Sequence, residues 1–307
     1  MMKILLVGGL GFIGKKFIQK FSKKYEFSIY TNKNSISNVS KDLLKNVTLV
    51  EGSIEEEKKL LCFIKEVNPE IVIHLAAMTG LKKCQENPKK TFETNVNGTF
   101  NVIKSCVDTN SKLIFASSFE VYGKTDKFER GEEDVLNPIN TYSLTKMLGE
   151  ELVKQAHKIH KLDYTILRIS NVYGPGYKRG ISAMIKTGIS EKKIYINDRM
   201  RFKNFIYVDD VIDLLDTIIN DSNSTNQIFN IGSKDTLNLE EIAKKISAHL
   251  KLDIEFEFLP GNELETDYRP SLKKLNCFGY HAKISFDKGL LNTIKWQLDK
   301  QKSYNVK

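Results

Sequence analysis

The amino-terminal stretch constrains the fold of this chain more than any other. The apolar run Lys3–Val7 leads into Gly8–Gly14, which reads Gly-Gly-Leu-Gly-Phe-Ile-Gly, and Phe17, Ile18 and Phe21 then share one side of a helix. The pattern predicts a strand, a tight turn and a helix start. Glycine-rich turns of this kind place a helix N-terminus, with its free N–H groups, against a phosphate. A dinucleotide is the expected ligand.

Each of the three spaced glycines has a role in this interpretation. Gly8 permits the sharp turn, Gly11 lets the backbone approach a pyrophosphate, and Gly14 allows the helix to pack closely on the strand. The spacing is Gly-x-x-Gly-x-x-Gly, which taken alone is weak evidence for dinucleotide binding. The alternative is a glycine-rich turn that binds no ligand. Gly9–Lys15 also matches the first part of a P-loop motif. A P-loop has Ser or Thr at the next position to bind Mg²⁺, and this chain has Lys16, so a nucleotide-triphosphatase is disfavoured.

Composition excludes several classes of protein. The chain has 307 residues, 41% of them hydrophobic, and a formal charge of +9 that comes from scattered lysines. This predicts a packed protein of one large or two modest domains and gives no indication of nucleic-acid binding. The four cysteines (Cys62, Cys84, Cys106, Cys277) are isolated, so neither a disulfide framework nor a metal site is expected. The apolar start is too short to cross a membrane, and a cytoplasmic protein is predicted.

Strand and helix patterns alternate through the first half of the sequence. Such alternation predicts an α/β fold with a doubly wound parallel sheet. We expect a dinucleotide-binding domain over 1–170, joined by about 205–235, and a smaller, discontinuous substrate lobe within 171–307. Strands are predicted at 27–31, 47–50, 71–75, 112–116, 164–169 and 227–231, and helices at about 55–66, 91–109, 141–160, 209–220 and 238–250.

Tyr142 and Lys146 are four residues apart on the predicted helix 141–160 and therefore share a face. An ammonium beside a phenol stabilises the phenolate, which then accepts a proton from a sugar hydroxyl. Taken alone, the pair is more often an ordinary feature of a surface helix. Ser118 strengthens the catalytic hypothesis because it follows the predicted strand 112–116, at the sheet edge where doubly wound folds bind ligands.

Several further segments, in this order and spacing, give the chain a recognisable pattern. The sequence resembles an extended short-chain dehydrogenase/reductase of the NAD-dependent epimerase/dehydratase family, which acts on nucleotide sugars. The resemblance covers residues 4 to about 211 and continues more weakly through Arg269-Pro270 to the helix near Trp296. Its segments are the glycine motif at 8–14, HLAA at 74–77, NVNGT at 95–99, SSFEVYG at 117–123, YSLTK at 142–146, LRISNVYGP at 167–175 and FIYVDDV at 205–211.

The resemblance implies roles for individual residues. Ser118 would hold the reacting oxygen, Tyr142 would be the acid/base, and Lys146 would bind the nicotinamide ribose. Glu120 is either a catalytic base, as in dehydratase and decarboxylase relatives, or a structural hydrogen-bond acceptor. For the substrate, Asn171 would meet the pyrophosphate, with Lys203 and Arg269 as further phosphate partners beside Ser118.

The resemblance also implies a cofactor site, with one departure. Thr31-Asn32-Lys33 ends the second strand where relatives carry an acidic residue for the adenosine ribose, and Ser53 replaces an adenine-contacting Asp. NAD is the expected cofactor, and Lys33 keeps NADP open as an alternative. The implied cofactor contacts are Gly8, Gly11, Phe12, Ile13, Gly14, Thr31, Asn32, Lys33, Ser53, Ile54, Leu75, Ala76, Ala77, Asn95, Tyr142 and Lys146.

These expectations define an enzyme that transfers hydride at C4 of a nucleotide-linked sugar, as an epimerase or dehydrogenase. A 4,6-dehydratase and a 4-keto-sugar reductase are the near alternatives. A protein that senses a dinucleotide without catalysis is the alternative of another class. A homodimer through the helices near 91–109 and 141–160 is implied by the resemblance.

Overall fold

The computed structural model describes residues 1–36, 39–45, 47–124, 127, 129–197, 201–261, 267 and 269–305. The strands are β1 (Lys3–Val7), β2 (Glu26–Thr31), β3 (Val47–Glu51), β4 (Ile71–His74), β5 (Lys112–Ser118), β6 (Tyr164–Ile169), β7 (Asn171–Tyr173), β8 (Lys193–Asn197), β9 (Phe202–Tyr207), β10 (Gln227–Ile231), β11 (Thr236–Asn238) and β12 (Glu255–Leu259). The α-helices are α1 (Phe12–Phe21), α2 (Lys33–Ile36), α3 (Glu57–Val67), α4 (Leu81–Glu86), α5 (Pro88–Phe92), α6 (Gly98–Thr109), α7 (Thr141–His160), α8 (Ile181–Ser190), α9 (Val208–Asn220), α10 (Leu239–Leu250), α11 (Lys273–Cys277) and α12 (Phe286–Asn305).

A seven-stranded sheet, in the order β10-β6-β5-β4-β1-β2-β3, forms the centre of the first structural unit. Strands β1 to β6 pair in parallel, with Val7 beside both Tyr30 and His74. The order 3-2-1-4-5-6 within this sheet is that of the Rossmann fold. The predicted α/β fold with a doubly wound parallel sheet is confirmed.

The central strands are largely apolar because helices cover the sheet. The apolar residues of β1 are fully buried, and α3, α6 and α7 contribute Leu60, Val102 and Val153 to the same core. This unit comprises Met1–Gly123, Glu132–Ile169 and Ile212–Phe229. The carboxyl ends of β1, β4 and β5 lie at one edge of the sheet, since parallel strands run in the same direction.

The second unit comprises Lys124–Gly131, Ser170–Val211 and Asn230–Lys307. It contains a three-stranded sheet in the order β11-β9-β7 and a parallel pair of β8 with β12. Its core joins residues of α8, α10 and α12, among them Ile185, Ile242 and Leu290. The chain enters this unit three times, so each unit is assembled from separate parts of the sequence.

The long helix predicted over 91–109 departs from a regular α-helix. Residues 88–109 comprise α5, a π-helical turn at Glu93–Asn97 and α6. Inserted π-turns occur frequently at functional sites. Here the turn carries Asn95, one of the residues expected in the site.

Candidate active site

The turn between β1 and α1 has three glycines with different structural requirements. Gly8 has a φ of +80°, and a Cβ there would lie 2.7 Å from the backbone of Ala76. A Cβ on Gly14 would lie 2.2 Å from the carbonyl oxygen of Gly9. A Cβ on Gly11 would meet one atom of the described residues within 4 Å, the carbonyl oxygen of Gly8 at 3.3 Å. The fold therefore needs glycine at 8 and 14, whereas glycine at 11 leaves open the space beside the α1 N-terminus.

The end of β2 holds the residues expected near the adenosine ribose. Asn32 Oδ1 accepts hydrogen bonds from the Ser35 backbone N–H at 3.2 Å and the Ser35 hydroxyl at 3.0 Å. Its side-chain oxygen therefore caps α2. Thr31 is buried and accepts from the Gly52 N–H through its carbonyl, while the Lys33 side chain is exposed. Of these residues, Lys33 presents a positive charge to solvent.

Ser53 and Ile54 follow β3, at the position expected near the adenine. The Ser53 N–H donates to Glu56 Oε2 at 2.7 Å, and the Ser53 hydroxyl donates to the Glu55 carboxylate. Asn101 Nδ2 donates to the Ile54 carbonyl at 2.9 Å. These bonds fix the turn after β3, and the Ser53 hydroxyl is engaged by the neighbouring Glu55 carboxylate.

Asn95 connects the turn after β4 with α7. Its Oδ1 accepts from the Met78 N–H at 2.7 Å, and its Nδ2 donates to the Met78 carbonyl and to Thr145 Oγ1, each at 3.0 Å. Leu75 and Ala76, which also follow β4, both donate their N–H to the Val7 carbonyl at 2.9 Å. Asn95 thereby orders the helix that carries Tyr142 and Lys146.

Ser118 closes β5 and begins a short 3₁₀ turn over Phe119–Tyr122. The Ser118 hydroxyl oxygen accepts from the Glu120 N–H at 3.2 Å. The Glu120 carboxylate is buried and accepts from Asn140 Nδ2 at 3.3 Å. Asn140 is the N-cap of α7 and forms a capping box with Ser143. The Ser118 segment is thus hydrogen-bonded to the first turn of α7.

Tyr142 and Lys146 occupy consecutive turns of α7. Lys146 is only 4% exposed, and its Nζ lies 4.6 Å from the centre of the Phe115 ring. Burial lowers the pKa of Lys146 from 10.5 to about 8, and the negative charge of Glu150 opposes this shift. The position is therefore unlike an ordinary surface lysine, which would be fully hydrated.

His74, at the end of β4, is a buried neighbour of Lys146. Its Nε2 lies 3.0 Å from Thr99 Oγ1, and Thr99 donates to the Asn95 carbonyl at 2.6 Å. Burial first, and then the positive charge of Lys146, lower the pKa of His74 to about 3. His74 is consequently neutral at physiological pH and adds no positive charge beside Lys146.

The sequence interpretation missed Glu150 and Arg168. Glu150 lies one turn beyond Lys146 on α7, and Arg168 on β6 forms an ion pair with it at 2.8 Å. Two signals were present: Glu150 continues the four-residue spacing of Tyr142 and Lys146, and Arg168 is the one charged residue of the buried, mostly apolar strand β6.

Three residues expected to bind substrate lie around β9 of the second unit. Asn171 Nδ2 donates to the Asn204 carbonyl at 3.1 Å. Lys203 is buried, although lysine is rarely so. The Arg269 guanidinium lies 4.2 Å above the centre of the Phe202 ring. The structure therefore brings Asn171, Lys203 and Arg269 to the first residues of one strand.

Two further observations concern the residues that the structure describes. Among the described residues, no cluster of three or more His, Cys, Asp or Glu side chains has the arrangement of a metal site. The described helices likewise include none that is long and apolar enough to span a membrane.

Comparison with known proteins places this chain in a family. The UDP-N-acetyl-alpha-D-glucosaminuronate decarboxylase of Bacillus cytotoxicus is 28% identical over 96% of this chain and 97% of its own. A putative UDP-glucose 4-epimerase of Methanocaldococcus jannaschii is 29% identical over 95% of this chain and 97% of its own. The structure of the Thermotoga maritima UDP-glucose 4-epimerase with UDP-glucose is 25% identical, has a TM-score of 0.89 and aligns with 98% of this chain and 100% of that one.

The match to the family itself is extensive. The sequence profile described as the NAD dependent epimerase/dehydratase family matches residues 4–232, which confirms the resemblance drawn from the motifs. The open backbone at Gly11 and the required glycines at 8 and 14 fit NAD, the cofactor for which the family is described. The chain is an enzyme that belongs to the NAD dependent epimerase/dehydratase family.

Proposed function

We propose that this enzyme transfers hydride at C4 of a nucleotide-linked sugar and re-reduces the same carbon, as an epimerase, with Tyr142 as the acid/base. One observation carries the proposal: the Asn140–Glu120 hydrogen bond joins the start of α7 to the Ser118 segment. The hydroxyl groups of Ser118 and Tyr142, which can both exchange protons, therefore lie on two hydrogen-bonded segments of the first unit. The UDP-sugar enzymes among the relatives support a nucleotide sugar as the substrate.

The first unit is assigned as the dinucleotide-binding domain. Gly8, Gly11 and Gly14 would hold the pyrophosphate of NAD, with the α1 N–H groups and Phe12 and Ile13 beside it. NAD supplies a hydride acceptor and donor. The remaining cofactor contacts are assigned to the residues at the ends of β2, β3 and β4: Thr31, Asn32, Lys33, Ser53, Ile54, Leu75, Ala76 and Ala77.

Tyr142 takes the proton from the C4 hydroxyl as that carbon is oxidised and returns it as the carbon is reduced. Lys146 supports the phenolate form of Tyr142 by its positive charge and binds the nicotinamide ribose. Ser118 donates a hydrogen bond to the reacting oxygen and fixes its position. Asn95 acts indirectly, because its hydrogen bond to Thr145 orders the part of α7 that carries Tyr142 and Lys146.

The second unit is assigned as the substrate lobe. Asn171, Lys203 and Arg269 would bind the pyrophosphate of the nucleotide sugar, since two of them are cationic and all three meet at β9. Arg269 lies over the Phe202 ring, and its guanidinium is the group that can make a forked contact with phosphate.

A homodimer through the region 91–109 and α7 is part of the proposal. Phe92 and Phe100, on α5 and α6, are 36% and 49% exposed, although large aromatic side chains are usually buried. Analytical ultracentrifugation of the purified protein tests this part directly.

The test of the proposed function is turnover of a panel of UDP- and dTDP-hexoses, followed by NMR of the recovered sugar. We expect Tyr142→Phe to bind NAD and substrate normally while turnover falls by about 10²-fold or more. Tyr195→Phe, on an exposed tyrosine of β8, is the matched control and should turn over normally. Near-normal turnover by Tyr142→Phe would assign the acid/base role to another group.

A further inference from the structure

A buried ion pair lies one helical turn from Lys146. Glu150 on α7 and Arg168 on β6 are 0% and 2% exposed. Arg168 Nη2 donates to Glu150 Oε2 at 2.8 Å, and Arg168 Nε donates to Oε1 and Oε2 at 3.1 and 3.2 Å. The guanidinium therefore meets the carboxylate as a fork.

The remaining polar groups of the pair bind the segment that contains Ser118. The Ser117 hydroxyl donates to Glu150 Oε1 at 2.5 Å. Arg168 Nη1 donates to the Tyr122 hydroxyl at 2.7 Å and to the Glu132 carbonyl at 2.8 Å, and its guanidinium lies 4.9 Å from the centre of the Tyr122 ring. Ser117 and Tyr122 flank residues 118–121, so the pair connects this turn to α7.

Stability alone does not account for such a pair. Desolvating two charges costs as much as their attraction returns, and well-packed apolar residues of similar volume are often as stable or more so. Removal of a single partner, by contrast, leaves an uncompensated buried charge. A pair of opposite charges nevertheless produces different fields at a nearby group, because the two charges lie at different distances from it.

We propose that Glu150 and Arg168 are positioning residues that act on the reaction through Lys146, with Glu150 holding the lysine in its charged form and Arg168 limiting that effect. Glu150 shares the helix face of Lys146 at the four-residue spacing, which places it within reach of the ammonium. Arg168 opposes the field of Glu150 because it binds both carboxylate oxygens.

Four other groups lie on Lys146's own helix or on the elements packed against it. From β4, His74 is neutral, and from β5, the Phe115 ring contributes its π face. On α7 itself, Tyr142 lies one turn before the lysine, and the turn that packs against α7 carries Glu120. The Glu150 charge opposes the effect of burial on the pKa of Lys146, as the proposal requires.

The experiment measures the protonation of Lys146 without reference to turnover. The full-length protein is labelled with ¹³Cε-lysine, the Lys146 signal is assigned by its loss in Lys146→Met, and its chemical shift is titrated from pH 6 to 11. We expect Glu150→Gln to lower the pKa of Lys146 by on the order of one pH unit and Arg168→Gln to raise it by a similar amount. A residue that serves stability alone would not shift the titration in opposite directions.

Two further variants keep the test decisive. Glu150→Met/Arg168→Met removes both charges, so it should remain folded and titrate between the two single variants. Glu151→Gln is the matched control, since this neighbouring α7 carboxylate is half exposed and paired with Lys154, and it should leave the titration unchanged. Shifts of the same sign in both single variants, or no shift in either, would overturn the proposal.

The inference rests on the proposed function only for its catalytic consequence. If the NMR shifts are found but the pH profile of kcat/KM does not follow them, the pair controls Lys146 and the role of Lys146 in turnover is wrong. If the shifts are absent while Tyr142→Phe abolishes turnover, the proposed function stands and this inference fails.

Discussion

Replacement of Lys146 by methionine should abolish turnover and make the protein more stable. Lys146 is 4% exposed, and its pKa falls from 10.5 to about 8 because burial disfavours the ammonium, while Glu150 opposes the shift. Methionine matches the length of the lysine stem without its charge. The variant therefore removes the cost of desolvating the ammonium and leaves the packing of α7 nearly intact.

The size and pH range of the effect follow from that pKa difference. A pKa that is lower in the folded protein means that the unfolded chain binds more protons between pH 8 and 10.5, so the free energy of unfolding rises with pH across this range. Below about pH 8 the penalty is present in full. A difference of about 2.5 pH units corresponds to about 3 kcal/mol.

Urea denaturation of NAD-free protein, at pH values from 7 to 10, measures the effect. We expect Lys146→Met to exceed the wild type by about 3 kcal/mol at pH 7, with the gap closing towards pH 10. Lys154→Met is the matched control on the same helix, since this lysine pairs with Glu151 at the surface; its stability should change by about 0.5 kcal/mol or less.

Two results would refute this reasoning. If Lys146→Met is no more stable than the wild type at pH 7, the ammonium is adequately solvated in the folded protein and its burial has no energetic cost. If the variant is more stable by the same amount at every pH, the gain comes from packing and the lysine does not titrate in this range.

Three further outcomes are expected. Gly11→Val should lose NAD affinity by about 10²-fold or more in calorimetric titration with an unchanged melting temperature, whereas Gly14→Ala should melt earlier, since overpacking costs about 1–3 kcal/mol. Burial and the charge of Lys146 lower the pKa of His74 from 6.5 to about 3, so the protein loses stability as pH falls through this range, by about 2 kcal/mol at pH 5. In acid denaturation experiments, His74→Gln should not show this loss of about 2 kcal/mol. Because Asn140 binds the Glu120 carboxylate, turnover in D₂O should leave C5 unlabelled, and deuterium at C5 that Glu120→Gln suppresses would instead establish dehydratase-type chemistry.

The local parts of the fold could be read from the sequence. The turn after β1 needs glycine at 8 because of its positive φ and at 14 because of the Gly9 backbone; these two requirements are local, whereas the close approach of Ala76 to Gly8 is not. The start of α7 is equally local, since Asn140 directly precedes the helix and forms a capping box with Ser143, three residues later. Short-range steric and hydrogen-bonding rules were sufficient at these positions.

Elements that depend on distant residues could not be predicted in this way. The π-turn within 91–109 coincides with the bonds of Asn95 to Met78 and Thr145, which are 17 and 50 residues away in sequence. Strand β8 pairs with β12, and Lys193 lies opposite Glu255 in that register. Periodicity detects which residues are apolar but carries no record of which strand will be the partner.

The same limit explains the incomplete prediction of the site. Ser118, Tyr142 and Lys146 were found because each stands in a short motif. Glu150 was not singled out because its role depends on Arg168, 18 residues later and on a different element. A charge in an apolar strand is the signal to pursue in such cases, since burying it without a partner is costly.

The energetic cost of Lys146 bears on the choice between a catalytic enzyme and a protein that only senses a dinucleotide. Native proteins are stable by about 5–15 kcal/mol, so a penalty of about 3 kcal/mol is a large fraction of the whole. An apolar residue at position 146 would remove the penalty and preserve α7. In the proposed function Lys146 has two roles, binding the nicotinamide ribose and stabilising the phenolate of Tyr142, and a protein that only senses a dinucleotide would use the first role alone. The stability of Lys146→Met therefore measures what the buried ammonium costs the fold, and Tyr142→Phe separates the two uses, because it removes proton transfer and leaves Lys146 in place.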